Sequence, residues 1–133
     1  MSHCPSAHRP VVGEQVPKPA GPYSPAVSYK DLVFCSGQLG TDPQTGQLLD
    51  GVEAQTRRAL ANLRVLLEAA GSSMGNVVKT TVFLQDMADF PVMNRVYAAA
   101  FGDNRPARST VAVAGIALGG LVEIEAIAVA LEA

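Results

Sequence analysis

Val122-Glu-Ile-Glu-Ala-Ile-Ala-Val129, near the end of the 133-residue chain, is the stretch that decides the fold. A β-strand turns alternate side chains to opposite faces of a sheet. One face would carry Glu123, Glu125, Ile127 and Val129, and the other Val122, Ile124, Ala126 and Ala128. Because both faces are apolar beyond the glutamates, we expect this strand to be covered on both sides.

Two strands and a helix are predicted upstream of this stretch. The alternating pattern of Val77–Gln85 predicts one strand, and the apolar run Ser109–Val113 predicts the other. Between them we expect a helix that is capped by Asp89, runs to Phe101 and ends at Gly102.

One face of that helix carries Phe90, Asn94 and Tyr97, which fall at positions i, i+4 and i+7. A polar residue between two aromatic residues indicates either a pocket or ordinary packing around an exposed asparagine. Spacing alone leaves both interpretations open.

The earlier helix has the clearest pattern in the chain. Asp50 and Glu53 have the spacing of a capping box, and Gly71 supplies the C-terminal stop. Its apolar stripe is interpreted as core and consists of Val52, Thr56, Ala59, Leu60, Leu63, Leu67 and Ala70.

The N-terminal part begins with a predicted disordered tail, residues 1–10, followed by the stiff proline-rich loop Pro17–Pro25. Two short strands, Ala26–Tyr29 and Leu32–Ser36, are expected to form a hairpin. The order strand, strand, helix, strand, helix, strand, strand predicts one α+β domain, residues 11–133, with a mixed sheet and both helices on one face. The other face then needs cover, and a partner subunit is the economical solution.

Composition narrows the class of protein. Formal net charge is −2, and no run of Lys and Arg indicates a nucleic-acid partner. No apolar stretch is long enough to span a bilayer, and the N-terminus lacks a secretory signal, so we expect a cytoplasmic protein without a membrane partner. His3, Cys4 and His8 have no matched ligands downstream, so no metal site is predicted; Cys35 is expected in the core.

Arg108 and Glu123 stand near the heads of the last two strands and are the candidate catalytic residues. A guanidinium grips a carboxylate through two parallel hydrogen bonds, and a carboxylate can orient or deprotonate water. The pair therefore indicates a pocket for a small carboxylic acid attacked by water at the neighbouring carbon. The alternative is a pair of charges solvated at the sheet edge.

Six short segments occur in the order and spacing of one family: Gly21-Pro-Tyr-Ser-Pro-Ala26, Ser36-Gly-Gln38, Asp42-Pro-Gln-Thr-Gly46, Val78-Lys-Thr-Thr-Val-Phe83, Pro106-Ala-Arg-Ser109 and Glu123-Ile-Glu-Ala-Ile-Ala128. On these segments the chain resembles the RidA (YjgF) family of reactive-intermediate enamine/imine deaminases, from about Val12 to the C-terminus. The resemblance implies a chorismate-mutase-like fold, assembled as a barrel-like homotrimer with a cleft between each pair of subunits.

The activity that this resemblance implies is hydrolysis of 2-imino acids, such as 2-iminobutanoate and 2-iminopropanoate, to 2-keto acids and ammonia. Removal of these imines protects pyridoxal-phosphate enzymes, and the reaction requires no metal or organic cofactor. Arg108 matches the arginine that binds the substrate carboxylate, and Glu123 the glutamate that positions water. The other matched substrate-binding positions are Tyr23, which closes the cleft from the neighbouring subunit, Gly37 and Thr110, which offer backbone groups, and Phe90 and Asn94, which line the cleft.

Three departures and two rival functions accompany the resemblance. Ile116-Ala117 replaces a frequent Leu-Pro pair and is expected to loosen a loop without affecting the chemistry. Arg105 replaces a frequent aromatic residue and adds charge near the cleft, while Thr110 replaces a frequent cysteine and excludes thiol chemistry there. RNA cleavage, also linked to the family, fits poorly with a slightly acidic chain whose two histidines lie in the predicted tail. A non-catalytic module that binds metabolites in the same clefts is the stronger alternative. Glu123 argues against that module, because a pure carboxylate binder gains nothing from a second negative charge.

Overall fold

The structure, a computed structural model, describes residues 8–130. Its main elements are the strands β1 (Arg9–Pro10), β2 (Ala26–Tyr29), β3 (Leu32–Leu39), β4 (Val77–Leu84), β5 (Ala107–Ala112) and β6 (Val122–Val129), and the helices α1 (Val52–Ala69) and α2 (Phe90–Phe101). Three short 3₁₀ turns, Met74–Asn76, Met87–Asp89 and Ala117–Gly119, connect them. The predicted order of strands and helices is confirmed from β2 onward, and β1 is an additional strand.

The predicted N-terminal tail is only partly covered by the described residues. Residues 1–7, including His3 and Cys4, lie outside them. Arg9 and Pro10 form β1 and pair with Ser28 and Val27 of β2. The end of the predicted tail therefore has to be placed before Arg9, because these two residues add a strand to the sheet.

All six strands form one mixed sheet in the order β1-β2-β3-β6-β4-β5. The β4–β5 pair is parallel and the other pairs are antiparallel. The last strand of the chain is thus inserted between β3 and β4, which explains its long apolar run. The mixed α+β class is confirmed.

The two sheet faces have different surroundings. On the face that we call the helix face, Val33, Val82, Ile124 and Ala128 are fully buried in the core that includes α1 residues such as Leu63. A hydrogen bond of 2.7 Å between Thr80 Oγ1 and Tyr97 of α2 lies on the same face. Both helices therefore cover one face, as predicted.

The opposite face, called the open face, is not covered by the described part of the chain. Phe34 and Val111 lie on it and are 37% and 43% exposed. No helix among residues 8–130 packs on this face, so cover of Val122–Val129 on its second side depends on a partner subunit and stays a prediction.

The helix ends follow the predicted C-terminal signals more closely than the N-terminal ones. Gly71 adopts a φ of 79° just after α1, and the Ser72 amide donates to the Leu67 carbonyl at 2.8 Å. The capping box at Asp50 is wrong: Gly51 is the N-cap and no side chain caps the helix. Asp89 also makes no side-chain cap to α2. Neither helix begins with the extended residue that a side-chain cap needs. Gly51 at φ 89° precedes α1, and the 3₁₀ turn Met87–Asp89 precedes α2.

Candidate functional site

Arg108 lies in the edge strand β5 and contacts aromatic rings of α2. Its guanidinium carbon is 4.8 Å from the ring centroid of Tyr97 and 5.5 Å from that of Phe90. Arg108 is in register with Thr80, which places it on the helix face. Contact with two ring faces stabilises the cation while leaving its hydrogen-bonding edge available.

Tyr97 joins the candidate site through its contact with Arg108. The sequence placed it on the same helical face as Phe90 but did not assign it to the site. Its hydroxyl shares the 2.7 Å hydrogen bond with Thr80, and its ring centroid is 4.6 Å from that of Phe101. These contacts fix the ring under the Arg108 guanidinium. The signal was its i+7 spacing from Phe90, which also places Asn94 between the two rings on the same face.

Thr110 shares the helix face with Arg108 because it lies two residues further along β5. It is in register with Val82 of β4. Its side-chain oxygen is buried and has no hydrogen-bond partner among residues 8–130. We call Phe90, Asn94, Tyr97, Arg108 and Thr110 the arginine group.

Glu123 is packed directly against the backbone of Gly37. A methyl group added at Gly37 would lie 2.4 Å from Glu123 Oε2, so only glycine permits this approach. Both residues line a cavity of about 250 Å³, together with Glu125. Burial, and secondarily the negative charge of Glu125, raises the pKa of the Glu123 carboxyl. A carboxyl with a raised pKa is better suited to accept a proton near neutral pH.

Tyr23 lies in the proline-rich loop Pro17–Pro25. It is 49% exposed, and its hydroxyl accepts a hydrogen bond of 3.2 Å from the Ala20 amide. Tyr23 and Gly37 line a second cavity of about 260 Å³. Since Gly37 lines both cavities, we call Tyr23, Gly37 and Glu123 the glutamate group.

The two groups lie on opposite faces of the sheet. Arg108 is in register with Thr80, and Thr80 with Ala126, on the helix face. Glu123 is in register with Phe83, and Phe83 with Val111, on the open face. Thr80 and Phe83, the β4 residues that align with Arg108 and Glu123, are three residues apart, which is roughly 10 Å along the strand. One chain therefore does not bring Arg108 and Glu123 together around a small substrate.

Arg105 is turned toward the end of α2. Its Nη1 donates to the carbonyl oxygens of Gly102 and Asn104, the latter at 3.1 Å. A cation at a helix C-terminus interacts favourably with the helix dipole. Its predicted effect on the cleft stays a prediction.

Residues 8–130 hold no cluster of three or more His, Cys, Asp and Glu side chains suited to a metal ion. None of their helices has the length and apolar character needed to cross a membrane. Cys35 is buried in the core, as predicted, and burial raises the pKa of its thiol to about 12.

Comparison with known proteins assigns the family. The model of the family described as Endoribonuclease L-PSP matches residues 13–130. The chain belongs to this family. It is 47% identical over 116 residues to mouse 2-iminobutanoate/2-iminopropanoate deaminase, covering 86% of each protein.

Solved structures of this family have the same fold. RidA from the Antarctic bacterium Psychrobacter sp. PAMC 21119 is 41% identical, with a TM-score of 0.88, over 91% of this chain and 98% of that one. E. coli TdcF with bound serine is 38% identical, with a TM-score of 0.88, over 92% of this chain and 99% of that one. The resemblance to the RidA family is confirmed.

Proposed function

We propose that this protein hydrolyses 2-imino acids, such as 2-iminobutanoate and 2-iminopropanoate, to 2-keto acids and ammonia. The observation that carries the proposal is the environment of the Arg108 guanidinium. Its guanidinium is held over two aromatic rings, and no carboxylate of residues 8–130 lies within 4.0 Å of it. A positioned, half-buried cation without an internal partner is suited to the carboxylate of a small ligand. The identity to the mouse deaminase supports the same substrate class.

The assembly is part of this proposal. We infer a homotrimer in which the open faces of three sheets form a barrel-like core and a cleft lies between each pair of subunits. The exposed apolar side chains of Phe34 and Val111 support burial of the open face. The separation of Arg108 from Glu123 supports clefts in which the arginine group of one subunit meets the glutamate group of its neighbour.

Hydrolysis begins with binding of the substrate carboxylate. Arg108 holds it through two parallel hydrogen bonds, and Phe90 and Asn94 line the cleft on the same side. Tyr23 closes the cleft from the neighbouring subunit, while Gly37 and Thr110 offer backbone groups to the ligand. Placement contributes strongly, because the protonated imine carbon is already electrophilic. No metal or organic cofactor enters this scheme.

The chemical step uses Glu123 as a general base. Glu123 takes a proton from water as the oxygen bonds to the imine carbon, which yields a carbinolamine. The protonated carboxyl then returns that proton to the nitrogen. Glu123, again a carboxylate, takes the hydroxyl proton of the intermediate as the C–N bond breaks, which releases the 2-keto acid and ammonia. That proton then leaves with ammonia as ammonium. The close contact between Gly37 and Glu123 supports a fixed position for this base.

The biological setting follows from the chemistry of the substrate. Free 2-enamino and 2-imino acids attack pyridoxal-phosphate enzymes covalently, so their rapid hydrolysis protects those enzymes. We propose that residues 11–133, extended by Arg9 and Pro10 of β1, act as one domain in the cytoplasm. Neither nucleic acid nor membrane is a proposed partner, since the chain has a net charge of −2 and no basic stretch.

A non-catalytic metabolite-binding module is the alternative, because the arginine group alone could bind a carboxylate. E. coli TdcF with bound serine shows that a relative binds an amino acid. The raised pKa of Glu123 favours the deaminase. A half-buried carboxyl group beside the carboxylate of the ligand serves proton transfer, whereas it does not help to bind an anion.

A coupled assay separates these functions. A threonine dehydratase generates 2-iminobutanoate, and 2-ketobutyrate release is followed with the wild type, Arg108→Ala, or Arg64→Ala as a control on the exposed surface of α1. Acceleration by the wild type and Arg64→Ala, but not by Arg108→Ala, supports the deaminase. No acceleration, with 2-ketobutyrate bound in an Arg108-dependent manner, assigns the protein to the binding module.

A further inference from the structure

Leu118 has an unusual backbone conformation and an unusual environment. It lies in the turn Ala117–Gly119 with φ 61° and ψ 14°, in the left-handed region. Lys30, in the β2–β3 turn, is the other non-glycine residue with positive φ among residues 8–130. Glycine adopts this conformation freely, whereas a branched side chain is strained there. Burial does not offset that strain, because Leu118 is 65% exposed.

The turn that carries Leu118 is closed by hydrogen bonds within it and is anchored to α1 just after it. The amides of Gly119 and Gly120 donate to the carbonyls of Ile116 and Ala117 at 3.2 and 3.0 Å. Next in the chain, the Leu121 amide donates to Gln55 Oε1 at 2.8 Å. Leu118 is therefore presented on an anchored turn, so its backbone has a defined location.

That location adjoins the glutamate group. Leu118 lines the cavity of about 260 Å³ with Tyr23 and Gly37. The ring of Tyr23 and the isobutyl group of Leu118 supply apolar surface there. Strained residues cluster at sites where their side chain has a role.

We propose that Leu118 is a specificity-determining residue that contacts the side chain of the 2-imino acid. This inference rests on the proposed function. An apolar wall beside Gly37 favours imino acids with longer aliphatic chains, because each methylene group removed from water adds binding energy in the transition state. The imine of leucine is thus preferred over 2-iminopropanoate, whose side chain is one methyl group.

The test is a ratio of kcat/KM values for these two imines. Each imine is generated in the assay by an amino-acid oxidase, and its enzymatic hydrolysis is measured in competition with semicarbazide. We expect the ratio for the leucine imine over 2-iminopropanoate to fall about tenfold in Leu118→Gly and in Leu118→Ala.

Lys30→Gly is the matched control for the backbone. It also replaces a non-glycine residue at positive φ, in a turn that does not line the cavity. Both glycine variants are expected to raise Tm, because each removes the same kind of strain. Only the Leu118 variants should change the selectivity ratio.

The outcomes separate this inference from the proposed function. Hydrolysis of both imines with an unchanged ratio in Leu118→Gly and Leu118→Ala would overturn the specificity role and leave the deaminase intact. A lower ratio in Lys30→Gly as well would also overturn it, since the effect would then come from the backbone. If the wild type hydrolyses neither imine, the proposed function fails, and this inference with it.

Discussion

The guanidinium of Arg108 and the carboxylate of Glu123 project from opposite faces of the same sheet. Strand register fixes this relationship, since Arg108 aligns with Thr80 and Glu123 aligns with Phe83, three residues further along β4. Rotation of either side chain cannot reverse a difference in strand face. A site that uses both residues on one small substrate therefore needs two copies of the chain.

Replacement of Arg108 by lysine tests the two-pronged grip on the substrate. An ammonium group cannot make two parallel hydrogen bonds and packs less well over Tyr97 and Phe90. We expect kcat/KM for 2-iminobutanoate to fall about 100-fold or more in Arg108→Lys. Arg64→Lys, on the exposed face of α1, should retain wild-type kinetics. Near-normal turnover in Arg108→Lys would contradict the bidentate role.

Glu123→Gln is expected to lose activity and gain stability. The rate should fall by about 100-fold or more, while 2-ketobutyrate still binds, because the amide cannot accept the proton from water. Burial, then the charge of Glu125, raises the pKa of Glu123 in the folded state above its ordinary value of 4.5. The folded state therefore binds the proton more tightly, and stability is lost as pH rises from 4.5 through the raised pKa.

Thermal unfolding at two pH values checks the stability half of this prediction. At pH 7 the Tm of Glu123→Gln should exceed that of the wild type, and the difference should shrink below pH 4.5, where the glutamate is protonated in both states. An equal or lower Tm for the variant at pH 7 would contradict the destabilising burial of this carboxylate.

Glu125→Gln tests the electrostatic setting of the base. Burial is the main cause of the raised pKa of Glu123, and the negative charge of Glu125 adds to it. Removal of that charge should shift the acid limb of the kcat/KM profile to lower pH. Glu125→Asp keeps the charge and serves as the control. A limb that stays in place in Glu125→Gln would mean that Glu125 does not influence the active base.

Much of the fold follows from local patterns in the sequence. The alternation of β4 and the stripe of α1 identify these elements because each period matches one side-chain geometry. The side-chain caps predicted at Asp50 and Asp89 are absent. Gly51 begins the first helix instead, and the 3₁₀ turn Met87–Asp89 precedes the second. The local sequence permits several backbone geometries at the start of a helix, and tertiary packing selects one of them.

The candidate site, too, could be predicted from the sequence only in part. Residue type and the family resemblance indicate Arg108, Glu123 and the Phe90 face of α2 as candidate site residues. The sequence does not reveal that the two charged residues lie on different faces, because that depends on the pairing of β5 and β6 with β4. Long-range register is set by the whole sheet and leaves no local pattern in Ala107–Ala112, where the residues alternate weakly between exposed and half-buried positions.

Gly37→Ala tests whether contact with Gly37 positions Glu123, the proposed base. The added methyl group would lie 2.4 Å from Glu123 Oε2, the end of a flexible side chain that can move away. We expect a folded protein with kcat reduced about tenfold or more, since displacement of a catalytic group by an ångström is costly. Gly75→Ala is the control, because its nearest neighbour would be 3.7 Å away. Unchanged kcat in Gly37→Ala would show that the position of Glu123 is not limiting.

Complementation between two variants tests the proposed cleft between subunits of the homotrimer most directly. Arg108→Ala and Glu123→Gln chains, each with its own affinity tag, are co-expressed, and purification through both tags retains mixed trimers only. In a closed three-fold ring, either mixed composition leaves one cleft with an intact Arg108 from one subunit and an intact Glu123 from its neighbour. We predict about one third of the wild-type rate of 2-iminobutanoate hydrolysis from these mixed trimers. A rate no higher than that of either variant alone would contradict a site built from two subunits.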